Sequence, residues 1–381
     1  MKLIDVCELI VDCPHSTAKD EGQGIPLVRT PNIGKGRLEL SGVHRVSEVV
    51  YNQRIERAVP QAGDLILARE APVGNVALIM SGQKVCLGQR VVLIRPDKEK
   101  ADPAYLTYYL LSEEVQHRLK NNANGAVVAH LNMNEIRNLV IELPEISIQK
   151  RIASVLSSLD DKIALNNRIN HNLLNLAQEI FDNSFIKNSC CSDTCRAASL
   201  LDIAEYLNGL AMQKYPTTVG EVGIPVLKIK ELGQQACDAN SDKCSESIPA
   251  QYIVNDGDVI FSWSGTLLVD FWCGGICGLN QHLFKVSSDK YPNWFVFFWT
   301  KHHLSRFIRI AKDKAVTMGH IKRGDLGKAE VIIPDVSLME ELDDEIKPLI
   351  SEYIGRRVEN RKLQSLRDSL LPELMSGQIT C

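Results

Sequence analysis

The sequence predicts an α+β protein: two pseudo-symmetric α/β domains separated by two long antiparallel helices that form a coiled-coil-like spacer. Three observations predict it. The chain has 381 residues, too many for one ordinary core. It is written twice. Each copy is followed by a long helical stripe. The expected boundaries are a first domain over 1–144, a first helix over 145–187, a linker over 188–197, a second domain over 198–334 and a second helix over 335–381.

The duplication is read from ordered matches. IDVCELI at 4–10 parallels LDIAEYL at 201–207, and IPLV at 25–28 parallels IPVL at 224–227. GDLIL at 63–67 parallels GDVIF at 257–261, and Cys86-Leu-Gly-Gln-Arg90 parallels Gly278-Leu-Asn-Gln-His282. AHLNMNEIRNLVIELP at 129–144 parallels GHIKRGDLGKAEVIIP at 319–334. Their order is kept, and the offset rises from 197 to 199 and then falls to 190, as small insertions and deletions in loops would produce.

Within each copy, short apolar runs bounded by Gly, Asp and Pro read as strands: Leu65–Ala68, Val91–Ile94, Val259–Phe261 and Leu283–Val286. A helix is expected from Asp102-Pro103 and again from Tyr291-Pro292, with proline in its first turn. Tyr105, Tyr108 and Tyr109 on the first, and Trp294, Phe298 and Trp299 on the second, form stripes whose default role is core packing.

No Gly or Pro interrupts the chain from Glu145 to Lys187 beyond the helix start. Ile148, Ile152, Val155, Leu159, Ile163, Ile169, Leu173, Leu176 and Ile180 describe one apolar stripe. The centre is rich in asparagine, a poor helix former. Either those side chains sit near a helix-pair seam and fix its register, or they face water. The second copy repeats the plan with Leu342, Ile346, Leu349, Tyr353, Leu363, Leu366, Leu370 and Leu374, and with Arg356, Arg357, Asn360 and Arg361 in its polar middle. Pro348 is expected to kink this helix or move its start. Paired antiparallel, such helices would make a rod about 65 Å long at 1.5 Å per residue.

Composition excludes several classes. Hydrophobic residues are 45% and charged residues 24%, as in globular proteins. No run of apolar residues is long enough to span a bilayer, and MKLIDVCELIVDCPH carries acids where a signal peptide would be apolar; a cytoplasmic protein is expected. A net charge of -4 limits any nucleic-acid surface to a local basic patch. Of eleven cysteines, Cys190, Cys191 and Cys195 cluster and Cys273 and Cys277 lie four apart. No CxxC occurs, so reduced thiols are expected and no metal site.

On this tandem plan, on IPLVRTPNIGKG and GDLILAREAPVG, and above all on LPEISIQKRIASVLSSLDDKIALNNRINHNLLNLAQEIF, the chain resembles the specificity subunits of type I restriction-modification enzymes. The resemblance covers essentially the whole chain. It implies a non-catalytic DNA reader within a multi-subunit methyltransferase and endonuclease. Each globular domain would be a target recognition domain reading half of a bipartite double-stranded DNA target. The helices would set the spacer and dock two adenine methyltransferase subunits, and two restriction and translocase subunits would join. S-adenosylmethionine, Mg²⁺ and ATP would bind partners, with no cofactor on this chain. The docking positions implied are Asn166, Asn167, Arg168, Asn170, Leu173 and Leu176 on one helix and Arg356, Arg357, Asn360, Leu363 and Leu366 on the other.

Base edges are read by bidentate donors and acceptors, and phosphates by cations and backbone amides. Candidates in the first domain are Arg29, Asn32, Lys35 and Arg37 of a basic loop, then Arg69, Gln89 and Arg90. The loop from Asn124 to Asn132 adds His130 and Asn132. The second offers Lys228 and Lys230, then Ser262, Trp263, Ser264 and Thr266, then Gln281 and His282, and finally Lys314, Thr317, His320, Lys322 and Arg323. For any one of them a solvated surface role is an equal reading. A structural hydrogen bond explains the recurrence of His130 and His320 as well as readout does.

Pro334-Asp335 with Glu345-Ile-Lys347 matches a bare nuclease pattern. However, Glu345 and Lys347 fall in the second helix, where carboxylates cannot flank Mg²⁺ from adjacent strands. No Asn/Asp-Pro-Pro motif is present for a flipped adenine. The remaining alternative is a two-headed protein-binding scaffold without sequence-specific DNA recognition.

Overall fold

The apolar runs bounded by Gly, Asp and Pro are strands, and both stripes are helices. The computed structural model describes residues 1–70, 72–121, 130–187, 195–313 and 320–379. Two compact units result: Met1–Asp161 with Gln364–Cys381, and Lys162–Leu363.

The first unit contains β1 (Cys7–Asp12), β2 (Ile25–Val28), β3 (Gly36–Arg37), β4 (Arg45–Val46), α1 (Glu48–Arg54), β5 (Leu65–Ala68), β6 (Val76–Leu78), β7 (Cys86–Leu87) and β8 (Val91–Pro96). Then come α2 (Pro103–Leu111), α3 (Glu113–Asn121), α4 (Met133–Arg137) and the start of α5 (Ile146–Phe181). Its main sheet has the order β1-β8-β5-β6-β3, and a small sheet the order β4-β2-β7. Proline opens α2 as expected, with the Asp102 carboxylate accepting the Tyr105 N–H at 2.9 Å.

The second unit contains β9 (Arg196–Ser199), α6 (Leu200–Ile203), β10 (Glu205–Asn208), β11 (Ile224–Leu227), α7 (Ile229–Gln234), β12 (Lys243–Cys244), β13 (Ile253–Val254), β14 (Val259–Ser262), β15 (Leu268–Phe271), β16 (Cys277–Leu279) and β17 (Leu283–Ser287). These are followed by α8 (Asn293–Asp313), α9 (Arg323–Leu326), β18 (Glu330–Ile333) and most of α10 (Val336–Met375). The sheet orders β10-β17-β14-β15 and β12-β11-β16-β13 repeat those of the first unit, except that the main sheet has no strand in the place of β3 and the small sheet gains β13. Pro292 precedes α8 and does not lie in its first turn. The aromatic stripe of α8 is core: Phe298 and Trp299 lie 5.3 and 5.2 Å, ring to ring, from Phe181 of α5.

A bulge corrects the repeat alignment. In β1 the register slips between Cys7 and Leu9, after which Asp12 faces Val92. In β10 it is Asn208 that faces Phe284, the partner matching Val92. Asp12 therefore corresponds to Asn208, one residue off the match that holds over residues 4–7.

Both long helices form, and α10 runs unbroken through Pro348, contrary to the expected shift of its start. Proline withdraws one N–H, and Asp344, whose carbonyl loses that bond, is exposed to water. In the first unit Ile152 and Leu156 of α5 pack with Leu370 and Leu374 of α10 and with Tyr105 and Tyr108. Buried Asp160 there accepts from Arg367 Nη1 at 2.7 Å and from the Tyr108 hydroxyl at 2.6 Å. In the second unit Lys162 pairs with Glu359 and Asn166 with Arg356, so the helices are antiparallel.

The buried stripe of α5 differs from the one expected. It runs through Ile152, Leu156, Asp160, Ile163, Asn166, Asn170, Ala177 and Phe181, while Val155 and Leu176 are exposed. Three polar residues lie in the seam, so counting only apolar residues displaced the predicted stripe. Asn166 Nδ2 donates to Asn360 Oδ1 at 2.9 Å and Asn360 Nδ2 to Asn167 Oδ1 at 2.8 Å. The asparagines that weaken the helix locally thus join it to its partner.

Candidate nucleic-acid interface

In the first unit the ends of β5 and β8 meet the segment that enters α4. Beyond the ladder, Arg69 N–H donates to the Arg90 carbonyl at 2.9 Å, and Leu131 N–H to the Arg69 carbonyl at 3.1 Å. A single antiparallel bridge joins Glu70 to His130. Arg69, Gln89, Arg90 and His130, widely spaced in sequence, are thereby brought together. Arg90 Nε lies 2.9 Å from Glu70 Oε2, and Gln89 Nε2 donates to the His15 carbonyl at 3.0 Å. Arg69 is held from below: Nε donates to the Leu131 carbonyl and Nη1 to Asp12 Oδ1, both at 2.8 Å.

The second unit repeats the backbone and changes the side chains. Ile321 N–H donates to the Trp263 carbonyl at 3.2 Å, and a bridge joins Ser264 to His320. Trp263 stands where the first unit has Arg69, and its Nε1 donates to Asn208 Oδ1 at 2.9 Å. Ser264 Oγ lies 3.1 Å from His282 Nδ1, and Gln281 Nε2 lies 3.4 Å from His282 Nε2. The Trp263 ring centre is 6.2 Å from those of both His282 and His320. Ser262 is fully buried, its hydroxyl donating to the carbonyls of Ser264 and Thr266, so it holds the turn on which exposed Thr266 sits.

The remaining candidates divide. Asn32 is buried, its Oδ1 accepting the Arg29 N–H at 3.1 Å and its Nδ2 donating to the Glu39 carbonyl. Arg29 lies against Gly88, where an added Cβ would meet Arg29 Cγ at 2.7 Å, so the absent side chain gives that arginine its path beside Gln89. Arg37 pairs with Asp161 on α5. Lys35 is exposed beside a cavity of about 470 Å³ also lined by Tyr108 and Arg367. Asn132, Lys228 and Lys322 occupy helix N-cap positions, their N–H groups donating to Glu135, Glu231 and Asp325. Lys228 also pairs with Asp242, Lys230 with Asp238 at 3.1 Å, and Arg323 is exposed. Lys314, Thr317 and residues 124–129 lie outside the described residues.

Sequence reasoning passed over Asp12, His15, Glu70 and Asn208. Asp12 and Asn208 end the first strand of each main sheet, so a strand-end polar residue facing a predicted reader was the available signal. Among the described residues, no group of three His, Cys, Asp or Glu could hold a metal ion. Glu345 and Lys347 lie on α10, and Asp335 caps it by accepting the Leu338 N–H at 3.0 Å.

On the helices, Asn166, Asn170 and Asn360 are buried in the seam. Asn167 and Arg356 join their network. Arg357 turns to Asp270 of β15, at 2.9 Å, and to the Tyr353 hydroxyl. Burial opposes the Arg357 charge, but Asp270, Tyr353 and Cys273 together outweigh it and raise the pKa. Leu173 and Leu363 are half-buried, Arg168 is exposed, and Leu176 and Leu366 are 52% and 46% exposed.

Residues 1–175 match the family described as the type I restriction modification DNA specificity domain. The chain is 24% identical to the type I restriction enzyme MjaIX specificity subunit of Methanocaldococcus jannaschii, over 89% of this chain and 82% of that protein. It is 19% identical to the type I restriction enzyme HindI specificity subunit of Haemophilus influenzae, over 83% and 86% respectively. Its fold is similar to that of the type I restriction-modification system S subunit from M. genitalium, with a TM-score of 0.58 and 13% identity over 98% of this chain and 95% of the other.

Proposed function

We infer that this chain, a member of the type I restriction-modification specificity-subunit family, recognises DNA sequence, each unit taking one half of a bipartite target. One observation carries the reading. The two units pair the end of β5 or β14 with the segment entering the next short helix through the same bridge and backbone bond, and keep Gln89 and Gln281, and His130 and His320, at matching positions. They exchange Arg69 for Trp263, Glu70 for Ser264 and Arg90 for His282. Two copies bound to the same ligand would have no reason to change the donors and acceptors of that face. Two readers of different half-sites would, because base edges are distinguished by the donors and acceptors opposed to them.

The helices serve as docking surface for the modification subunits. Support comes from Leu165 and Leu176, which are exposed on α5 with Arg168 and Asn172 between them. S-adenosylmethionine, Mg²⁺ and ATP would then belong to modification and restriction partners. Helix length would tune the target spacer: one added turn is about 5.4 Å, against about 3.4 Å for a base-pair step.

The test is selection of a randomised duplex library by the chain assembled with its modification subunit. A bipartite motif supports recognition. Salt-sensitive binding without any motif ends it in favour of a protein scaffold.

A further inference from the structure

Two arginines end the β5–β8 ladder, and the fold uses them differently. Arg69 is 14% exposed and spends Nε and Nη1 on the Leu131 carbonyl and Asp12. Arg90 is 57% exposed and meets Glu70 through Nε. Among the described residues no hydrogen bond uses its Nη1 or Nη2. Its backbone sits at φ +65°, in the left-handed region that a residue with a Cβ seldom occupies. An exposed side chain gives no packing reason for that conformation, and glycine would adopt it without strain. In the second unit the matching residue, His282, is not among the left-handed residues, and its neighbour is uncharged Ser264.

We propose that Arg90 and Glu70 together read a G·C base pair in the half-site taken by the first unit. Arg90 presents its terminal nitrogens to guanine O6 and N7 in the major groove, and Glu70 accepts from the N4 amine of the paired cytosine. The inference rests on the recognition reading above. Its chemical basis is a match of polarity: guanidinium only donates and carboxylate only accepts. Guanine offers two acceptors on that edge and cytosine a donor. Adenine sets an acceptor beside a donor, which the fork cannot satisfy.

The free protein is prepared for this contact. Arg90 Nε and Glu70 neutralise each other before DNA arrives, while Arg90 Nη1 and Nη2 remain to donate to a base edge. Neither charge is left buried and unpaired at the interface, the costly outcome for such groups. The Ser264–His282 pair can both donate and accept, and places no such demand on its half-site.

Methylation motifs of the assembled complex test this, read by sequencing for wild type, Arg90→Ala, Arg90→Lys and Glu70→Gln, with thermal melting to establish folding. Wild type should require a G·C pair in one half. Arg90→Ala should relax that position about tenfold to a hundredfold and leave the other half unchanged. Arg90→Lys, which keeps the charge and loses the fork, should not restore the preference. Glu70→Gln should relax the same position. A folded Arg90→Ala complex with an unaltered motif, or with uniformly weaker binding and a shallower salt dependence, overturns the proposal and leaves sequence recognition standing. A wild type without a bipartite motif overturns both.

Discussion

Arg69 donates from Nη1 to Asp12 Oδ1 at 2.8 Å, tying the end of β5 to the end of β1. The second unit keeps that tie in other chemistry, through Trp263 Nε1 and Asn208 Oδ1. Such a brace is structural in both units, whatever its upper face contacts. Arg69→Ala should therefore destabilise the chain by about 1.5–3 kcal/mol, since a half-buried carboxylate and a carbonyl lose a charged donor. Urea denaturation measures the loss. Unchanged stability with an altered half-site would make Arg69 a reader instead.

The seam asparagines should separate in a mutational cycle. Asn166→Leu leaves Asn360 and Arg356 without their partner and should cost about 1–3 kcal/mol. Adding Asn360→Leu should recover part of that, giving a favourable coupling. Asn170 is buried, and among the described residues neither its Oδ1 nor its Nδ2 has a hydrogen-bond partner. Asn170→Leu should therefore raise the melting temperature. Equal losses for all three substitutions would refute the network drawn around Asn166.

Asp160 is 5% exposed and depends on Arg367 and Tyr108 for compensation. Burial works against the Arg367 charge, but hydrogen bonds and charge from Asp160 and Asp368 together exceed it, and its pKa is raised. The Tyr108 hydroxyl is pushed up by burial and by the same carboxylate. Arg367→Met should cost about 3–5 kcal/mol by stranding a buried charge. Arg367→Met with Asp160→Asn should cost less than Arg367→Met alone, as chemical denaturation of both would reveal.

Acid should weaken the second unit through α8. Burial holds His302 and His303 below their usual 6.5, and His303 Nε2 donates to the Glu330 carbonyl at 2.7 Å. The unfolded chain takes up these protons near pH 6.5, and the folded chain only at lower pH. This contribution to stability is complete above about 6.5 and is lost as pH falls towards the folded values. His303→Gln should flatten the fall in melting temperature between about pH 7 and pH 5. A parallel pH dependence in the variant would assign the effect elsewhere.

Much of this was legible in local pattern. The strands Leu65–Ala68 and Val259–Phe261, the second of which extends to Ser262, and the proline start of α2 follow from short-range signals, and the recurrence of His130 and His320 from internal repetition. The seam of α5 was not. Asp160, Asn166 and Asn170 read as polar interruptions until their partners on α10 are known. The difference between Arg69 and Arg90 was hidden for the same reason, because Asp12 is 57 residues from Arg69.

By itself the sequence determined that the protein is two related α/β halves, each continued by one long helix, because periodicity, caps and internal repetition are properties of neighbouring residues. Tertiary structure alone decided which polar groups are spent on holding the fold and which remain for a ligand. Arg69 and Asn32 are committed by contacts that the chain order does not reveal, and Arg90 is set out on a strained backbone beside Glu70. The physical reason is that a hydrogen bond or ion pair depends on the distance between two groups in space, and a bulge of one residue in β1 is enough to change which groups meet.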